Sequence, residues 1–429
     1  MEQNNPTRNW SRKKRFFVKF TVLLTSLMIG VFVTEIALRI INYSFPTFYS
    51  PDEYRGYVLT PGIEGWYRRE GESYVRVNSD GLRDVEHPKQ KPANTLRVAV
   101  IGDSYAEAFQ VPLENAFWKI AENRLQSCAT LGGKTIEFIN FGVSGYGTAQ
   151  ELITLQRKVW EYSPDVVLLA VTTNNDITDN SRALKKTDEI PYFVYRDEKL
   201  ELDDSFRTNS AFRWRQSKIS RFGAWLRDNL RFMQLGHHAQ YAIKNYLARR
   251  RAQPSAQQIS NNLLNAPPPR LLDEPTPAPQ NTDIRSEDIG IDNMIYRMPT
   301  DAVWQDAWGV TDGLMLEIRR ETEAKGARFL VVTLSNGIQV FPDAAARQAF
   351  LDRIGTHDIF YPDKAIKGLG GRENFTVYNL APELQAYAEQ NKVFLHGFGE
   401  NIGNGHWNAE GHRVAGELVS QKLCEEFLR

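Results

Sequence analysis

The stretch Leu96–Val111, LRVAVIGDSYAEAFQV, joins an apolar run to a Gly102-Asp103-Ser104 turn and then to a helical pattern. A continuous apolar run, unlike an alternating one, reads as a strand buried on both faces, as in parallel sheets covered by helices. A serine at this position caps the helix that follows in most proteins. It can also stand as a nucleophile, because open parallel sheets place ligands beyond the carboxyl ends of their strands. The surrounding sequence decides between these readings.

The same pattern recurs outward from Leu96. TIEFINFG (135–142), DVVLLAVTT (165–173) and ARFLVVTLS (327–335) are further apolar runs that end in small or polar residues. Helices are expected over Tyr105–Gln126, Thr148–Tyr162 and Thr300–Lys325, and around APELQAYAEQN (381–391). A short strand is expected at KVFLHG (392–397), and NAEGHRVAGELVSQKLCEEFL (408–428) closes the chain as an amphipathic helix capped by Asn408. Strands alternating with helices predict the α/β class with β-α-β units. The chain has no internal repeat.

At 429 residues, with 52 basic and 52 acidic residues, the chain is long enough for a large core and carries no net charge, so nothing points to nucleic acid. The charge is uneven, however. Six of the first nineteen residues are basic, and FTVLLTSLMIGVFVTEIAL (20–38) follows with Glu35 as its only charge. Nineteen helical residues span about 28 Å, close to the hydrocarbon thickness of a bilayer. No small-x-small cleavage site follows, so the segment reads as an uncleaved anchor rather than a signal peptide. The preceding basic residues put the N-terminus in the cytoplasm and the main domain outside it, in the periplasm of a bacterial cell.

The chain thus divides into a basic N-terminus (1–19), a transmembrane helix (20–42) and a membrane-proximal collar (43–95) rich in Pro, Gly and Tyr. An α/β domain follows in two parts, 96–182 and 300–429, separated by an insertion (183–299). Within the insertion, RFGAWLRDNLRFMQLGHHAQYAIKNYLARRR (221–251) reads as a basic, aromatic helix that either lies on a membrane surface or presents a solvated face over a core stripe. The following stretch, rich in Pro, Asn and Gln, reads as a flexible loop. The His237-His238 pair has no ligand-spaced partner, so no metal is expected.

Acyl transfer needs a nucleophile, a base and donors for an oxyanion. Ser104 at a strand-to-helix turn offers the first, with its own N–H at the positive end of a helix. The backbone N–H of Gly145 and the side chain of Asn175 are candidate further donors, and a loop histidine, His406, is the candidate base. His412 falls inside the last helix and is assigned a supporting role. Asp103 and Asp176 read as anchors of their turns.

Together, GDSY around Ser104, NFGVSGYGT around Gly145, NND around Asn175 and GHWNAEGH around His406 resemble the four blocks of the SGNH, or GDSL, hydrolase superfamily. The resemblance covers Leu96 to about Asn180 and Arg328 to the C-terminus. It implies a flavodoxin-like three-layer α/β/α sandwich with strand order 2-1-3-4-5, and an esterase or acyltransferase without a cofactor. By position, Ser104 corresponds to the nucleophile, Ser104, Gly145 and Asn175 to the oxyanion donors, and His406 to the base.

Two departures stand out. Asn174 occupies a position that is usually glycine, and the aspartate expected two or three residues before the histidine is replaced by Asn404 and Gly403. Three explanations remain open: a dyad oriented by Asn404 or a carbonyl, a substitute acid such as Glu400, or loss of catalysis. In the implied sheet order the helix after the first strand and the last helix share a face, which predicts a Cys128–Cys424 disulfide outside the cytoplasm.

The expected function is a membrane-anchored esterase or O-acyltransferase acting on acyl, especially acetyl, esters of an envelope carbohydrate or exopolysaccharide. A lipid ester is a variant substrate. The competing class is a catalytically weak protein that keeps the fold as a binding or scaffold element among polysaccharide-assembly proteins.

Overall fold

A computed structural model describes residues 11–252 and 291–427, which form two compact units: 11–47 with 221–252, and 48–220 with 291–427. The first ten residues and the Pro-rich stretch after Ala252 lie outside the described residues.

The first unit opens with helix α1 (Arg12–Ile40), capped by the Ser11 side chain. One 18-residue window of α1 has a mean hydropathy of 2.2, and the helix is long and apolar enough to span a membrane. It includes the basic residues from Arg12 to Lys19 as well as the apolar run.

The second unit begins with two antiparallel hairpins, β1 (Tyr49–Asp52) with β2 (Gly56–Leu59) and β3 (Glu64–Tyr67) with β4 (Ser73–Arg76). They lead to β5 (Thr95–Gly102), the one-turn helix α2 (Ser104–Glu107), α3 (Phe117–Leu125) and β6 (Thr135–Asn140). Next come α4 (Thr148–Arg157), β7 (Val166–Thr172) and the single turns α5 (Asn175–Thr178) and α6 (Arg182–Lys185). A third hairpin, β8 (Tyr192–Arg196) with β9 (Lys199–Asp203), precedes α7 (Ser210–Gln216), α8 (Lys218–Asn229) and α9 (Arg231–Ala252). The chain then continues through α10 (Ala302–Ala324), β10 (Arg328–Leu334), α11 (Ala344–Ile354), α12 (Tyr361–Glu373), β11 (Thr376–Asn379), α13 (Ala381–Asn391) and α14 (Ala409–Lys422).

Five strands form one parallel sheet in the order β6-β5-β7-β10-β11, which is 2-1-3-4-5 along the chain. Alternate residues of its strands belong to two separate cores. Ala99, Ile101, Val167, Leu169 and Val331 pack under α4, α10, α11 and α12. Val98, Val100, Leu168, Leu330 and Val332 pack under α3, α13 and α14. A period of two with both faces covered makes three α/β/α layers and explains why these runs are uniformly apolar.

Two expected elements differ. The helix expected over Tyr105–Gln126 breaks after one turn: Ala108 adopts φ 55°, its N–H returns to the Ser104 carbonyl, and after a 3₁₀ turn at Leu113–Asn115 the chain is α-helical again only from Phe117. Val111 precedes Pro112, and a residue before proline is driven out of the helical region. KVFLHG does not join the sheet, whose edge is β11. It pairs instead with the loop that follows: the Gly397 N–H donates to the His406 carbonyl, Gly403 to His396 and Asn408 to Leu395.

Within the second unit, the collar hairpins pack on the α/β layers through Phe48, Leu59, Val75 and Val77, which meet Phe109, Val143 and Tyr146. Cys128 and Cys424 are joined as a disulfide between the end of the α3 region and the turn after α14.

Candidate active site

Ser104, His406 and a third residue, Glu70, form one continuous hydrogen-bonded chain. Ser104 is the first residue of α2, directly after the carboxyl end of β5, and is held by its N-cap, Asp103. His406 lies on the loop before α14, whose N-terminus is capped by Asn408 through the Glu410 and Gly411 amides. His406 Nε2 is 2.8 Å from Ser104 Oγ. On its other side, His406 Nδ1 is 2.5 Å from Glu70 Oε2, and the His406 backbone N–H donates to Glu70 Oε1 at 2.8 Å. With Nδ1 protonated toward the carboxylate, Nε2 is left to accept the serine proton.

Glu70 comes from the β3–β4 turn of the collar, 336 residues from His406 in sequence. Asn404 and Glu400, the nearer candidates for orienting His406, are both exposed on the loop instead. Gly405 has φ +81°, and a Cβ there would run into the Glu70 carboxylate. Only glycine allows the histidine's own amide to approach the acid so closely.

The charges of the pair support each other. Burial alone would lower the His406 pKa, but the hydrogen bond and charge of Glu70 outweigh it and hold it above the ordinary histidine value. Burial would likewise raise the Glu70 pKa, yet its bonds to His406 hold it below the ordinary value. This acid can therefore stabilise an imidazolium, which the amide of Asn404 could not do.

The loop bearing His406 is fixed by groups to which no role is assigned in the sequence reading. Buried Trp407 donates to Ser335 Oγ at 2.8 Å, and Ser335 Oγ lies 3.0 Å from His396 Nε2. His396 Nδ1 lies 2.7 Å from the Gly405 carbonyl, and Tyr105 Oη donates to the same carbonyl at 3.1 Å. Burial depresses the His396 pKa to about 4, so it is neutral near pH 7 and donates from Nδ1. His412 is fully buried in α14, where Nδ1 accepts the Phe117 N–H, and burial lowers its pKa to about 3. It packs the last helix against α3 and does not meet Ser104.

Of the candidate oxyanion donors, Asn175 is tied to Asp103, the neighbour of Ser104. Asn175 Nδ2 donates to Asp103 Oδ2 at 3.0 Å, which leaves its second N–H available. Asp103 also accepts the Tyr105 N–H and the Thr172 hydroxyl. Burial raises its pKa in spite of these donors. Asp176 accepts the Thr172 N–H at 2.6 Å and so ties the α5 turn to the end of β7.

Gly145 adopts φ +76°, with Tyr57 Oη 2.7 Å from where a Cβ would stand. That hydroxyl donates to the Ser144 carbonyl at 2.8 Å, and the Ser144 N–H donates to Glu107. Glu107 is buried, accepts the Tyr49 hydroxyl, and is pushed up to about 7 by burial. The collar therefore holds the Gly145 loop as well as supplying Glu70.

His237 and His238 belong to the first unit, where His238 stacks on Phe45 and meets the Tyr43 hydroxyl at 2.8 Å. Among the described residues no group of three His, Cys, Asp or Glu side chains is arranged to hold a metal.

No family model and no curated protein matches the chain. Solved structures similar to it include AlAXEase, an acetyl xylan esterase, at 13% identity and TM-score 0.35, covering 76% of this chain and 99% of that one. A catalytic mutant of an acetylxylan esterase from Geobacillus stearothermophilus matches at 10% identity and TM-score 0.36, over 80% of this chain and 99% of that one. TesA matches at 11% identity and TM-score 0.33, over 78% and 99%. By its own strand order the chain has the flavodoxin-like three-layer α/β/α fold, with the Ser104, Gly145 and Asn175 blocks after the carboxyl ends of β5, β6 and β7 and the His406 block on the loop before α14.

Proposed function

We propose that the protein is a serine ester hydrolase or O-acyltransferase, anchored in a membrane by α1, with its α/β unit on the extracytoplasmic side. The observation that carries this reading is the unbroken Glu70–His406–Ser104 chain. Ser104 Oγ attacks the ester carbonyl while its proton passes to His406 Nε2, and Glu70 stabilises the imidazolium. The Ser104 and Gly145 amides and the Asn175 side chain receive the oxyanion. Collapse expels the alcohol, which takes the proton back from Nε2. Water or a sugar hydroxyl, deprotonated by the same nitrogen, then releases the acyl group from Ser104.

The substrate class, O-acyl and especially O-acetyl esters of an envelope carbohydrate or exopolysaccharide, rests on location and on the SGNH resemblance. The alternative of a weak scaffold protein rests on the absent aspartate, the anchor and the large insertion, and the Glu70–His406 contact speaks against the first of these. The test is hydrolysis of an aryl acetate together with fluorophosphonate labelling. The wild type is expected to turn over and to form an adduct on Ser104, and Ser104→Ala to do neither. Equal rates would exclude this serine from the chemistry.

A further inference from the structure

We propose that α8 and α9 form a second membrane contact, lying flat among the headgroups of an anionic bilayer beside the point where α1 leaves it. This rests on the reading of α1 as a membrane span and is independent of the esterase chemistry.

Three bonds within the first unit fix where α9 begins. Glu35, the only charge in the apolar run of α1, accepts the Phe232 N–H at 2.9 Å, so the end of one helix caps the start of the other. Gln234 accepts the Phe45 N–H at 2.7 Å, and Asp228 accepts the Thr47 N–H at 3.0 Å. The apolar run ends at Leu38, and Glu35 pairs with Arg39. The first turn of α9 is therefore held at the level where a spanning α1 emerges from the hydrocarbon.

The exposed side chains suit that level. Phe222 and Trp225 of α8 are 60% and 57% exposed and stack on each other. Phe232, Ile243, Tyr246 and Leu247 fall on one face of α9 at helical spacing, and all four are exposed. Such a stripe is covered in a folded protein unless it meets a partner or a membrane. From Arg221 to Ala252 the sequence has seven basic residues and one acid, Asp228, which pairs with Arg227. Aromatic and aliphatic side chains among basic ones match the boundary between acyl chains and anionic headgroups.

Cys128 and Cys424 are bridged, so one introduced cysteine is the only free thiol for a polarity-sensitive fluorophore. The full chain, reconstituted in phosphatidylcholine nanodiscs with or without phosphatidylglycerol, is labelled at Phe222→Cys, Ile243→Cys, Leu27→Cys or the exposed Gln348→Cys. Labels at 222 and 243 are expected to shift to the blue and to lose most of their emission to lipids carrying a doxyl quencher. The loss is expected to be larger with phosphatidylglycerol and smaller in the Arg221→Glu, Lys244→Glu double variant, while the label at 348 stays water-like. Quenching at 27 with none at 222 and 243 would overturn the proposal and leave the anchor standing. A blue shift without quenching would overturn it in favour of burial against protein, such as a second copy of this chain, and no quenching at 27 would remove the anchor along with it.

Discussion

The acid that completes the site is Glu70, and its contribution is measurable in two ways. Glu70→Gln keeps the shape and removes the charge that stabilises the imidazolium. The comparable change in serine proteases lowers kcat by about four orders of magnitude, and a similar loss is expected here. The second signature is in pH. His406 must be neutral to act as base, and Glu70 holds its pKa above the ordinary 6.5. The acidic limb of kcat/KM is therefore expected above that value in the wild type and at lower pH in Glu70→Gln. An unmoved limb would show that Glu70 does not face the working histidine. Asn175→Ala, which removes one of the proposed oxyanion donors, is expected to cost about 10²- to 10³-fold in kcat with a smaller change in KM. A loss confined to KM would reassign Asn175 to ground-state binding.

Among the elements, β5, β6, β7 and β10 were legible, whereas the edge strand β11 and the collar were not. Uniform apolar runs such as DVVLLAVTT can sit only in a sheet covered on both faces, and all seven residues of β7 are buried. Helix ends were harder to read, because Ala108 turns left-handed where composition favours helix. Ser104, Gly145 and Asn175 stand in blocks after strand ends, and His406 in a block just before the last helix. Glu70 stands in RREGES, which by itself reads as a turn, and its meeting with His406 follows only from how the hairpins pack on Phe109 and the Gly145 loop.

The link from the collar to the sheet carries its own prediction. His87 lies 3.2 Å from Asp84 and 2.7 Å from Glu137 on β6. Burial would lower its pKa, but these two carboxylates raise it to about 9. A raised folded value adds stability that is complete below the unfolded pKa near 6.5 and is lost as pH rises through about 9. Denaturation of wild type and His87→Gln across that window is expected to show the wild type's advantage shrinking as pH rises; a constant difference would refute the assignment.

For the whole molecule, the disulfide gives the clearest test. It closes a loop of 296 residues and ties the α3 layer to the C-terminal turn. The Cys128→Ser, Cys424→Ser double variant is expected to lose about 2–4 kcal/mol of stability, read from its unfolding midpoint. Peptide mapping without reductant is expected to find the two cysteines joined in protein taken from the cell envelope. Free thiols at both positions would argue against an oxidising compartment.

The position of Glu70 also bears on how the gene should be cut. A version starting at Thr95 would retain every recognisable block and the entire parallel sheet, yet it would carry a serine and a histidine without Glu70 behind them. Its silence in an assay would describe the boundary chosen by the experimenter rather than the full chain. Alignments confined to that domain would see only Asn404 and Gly403 before the histidine and miss the upstream Glu70 that faces it.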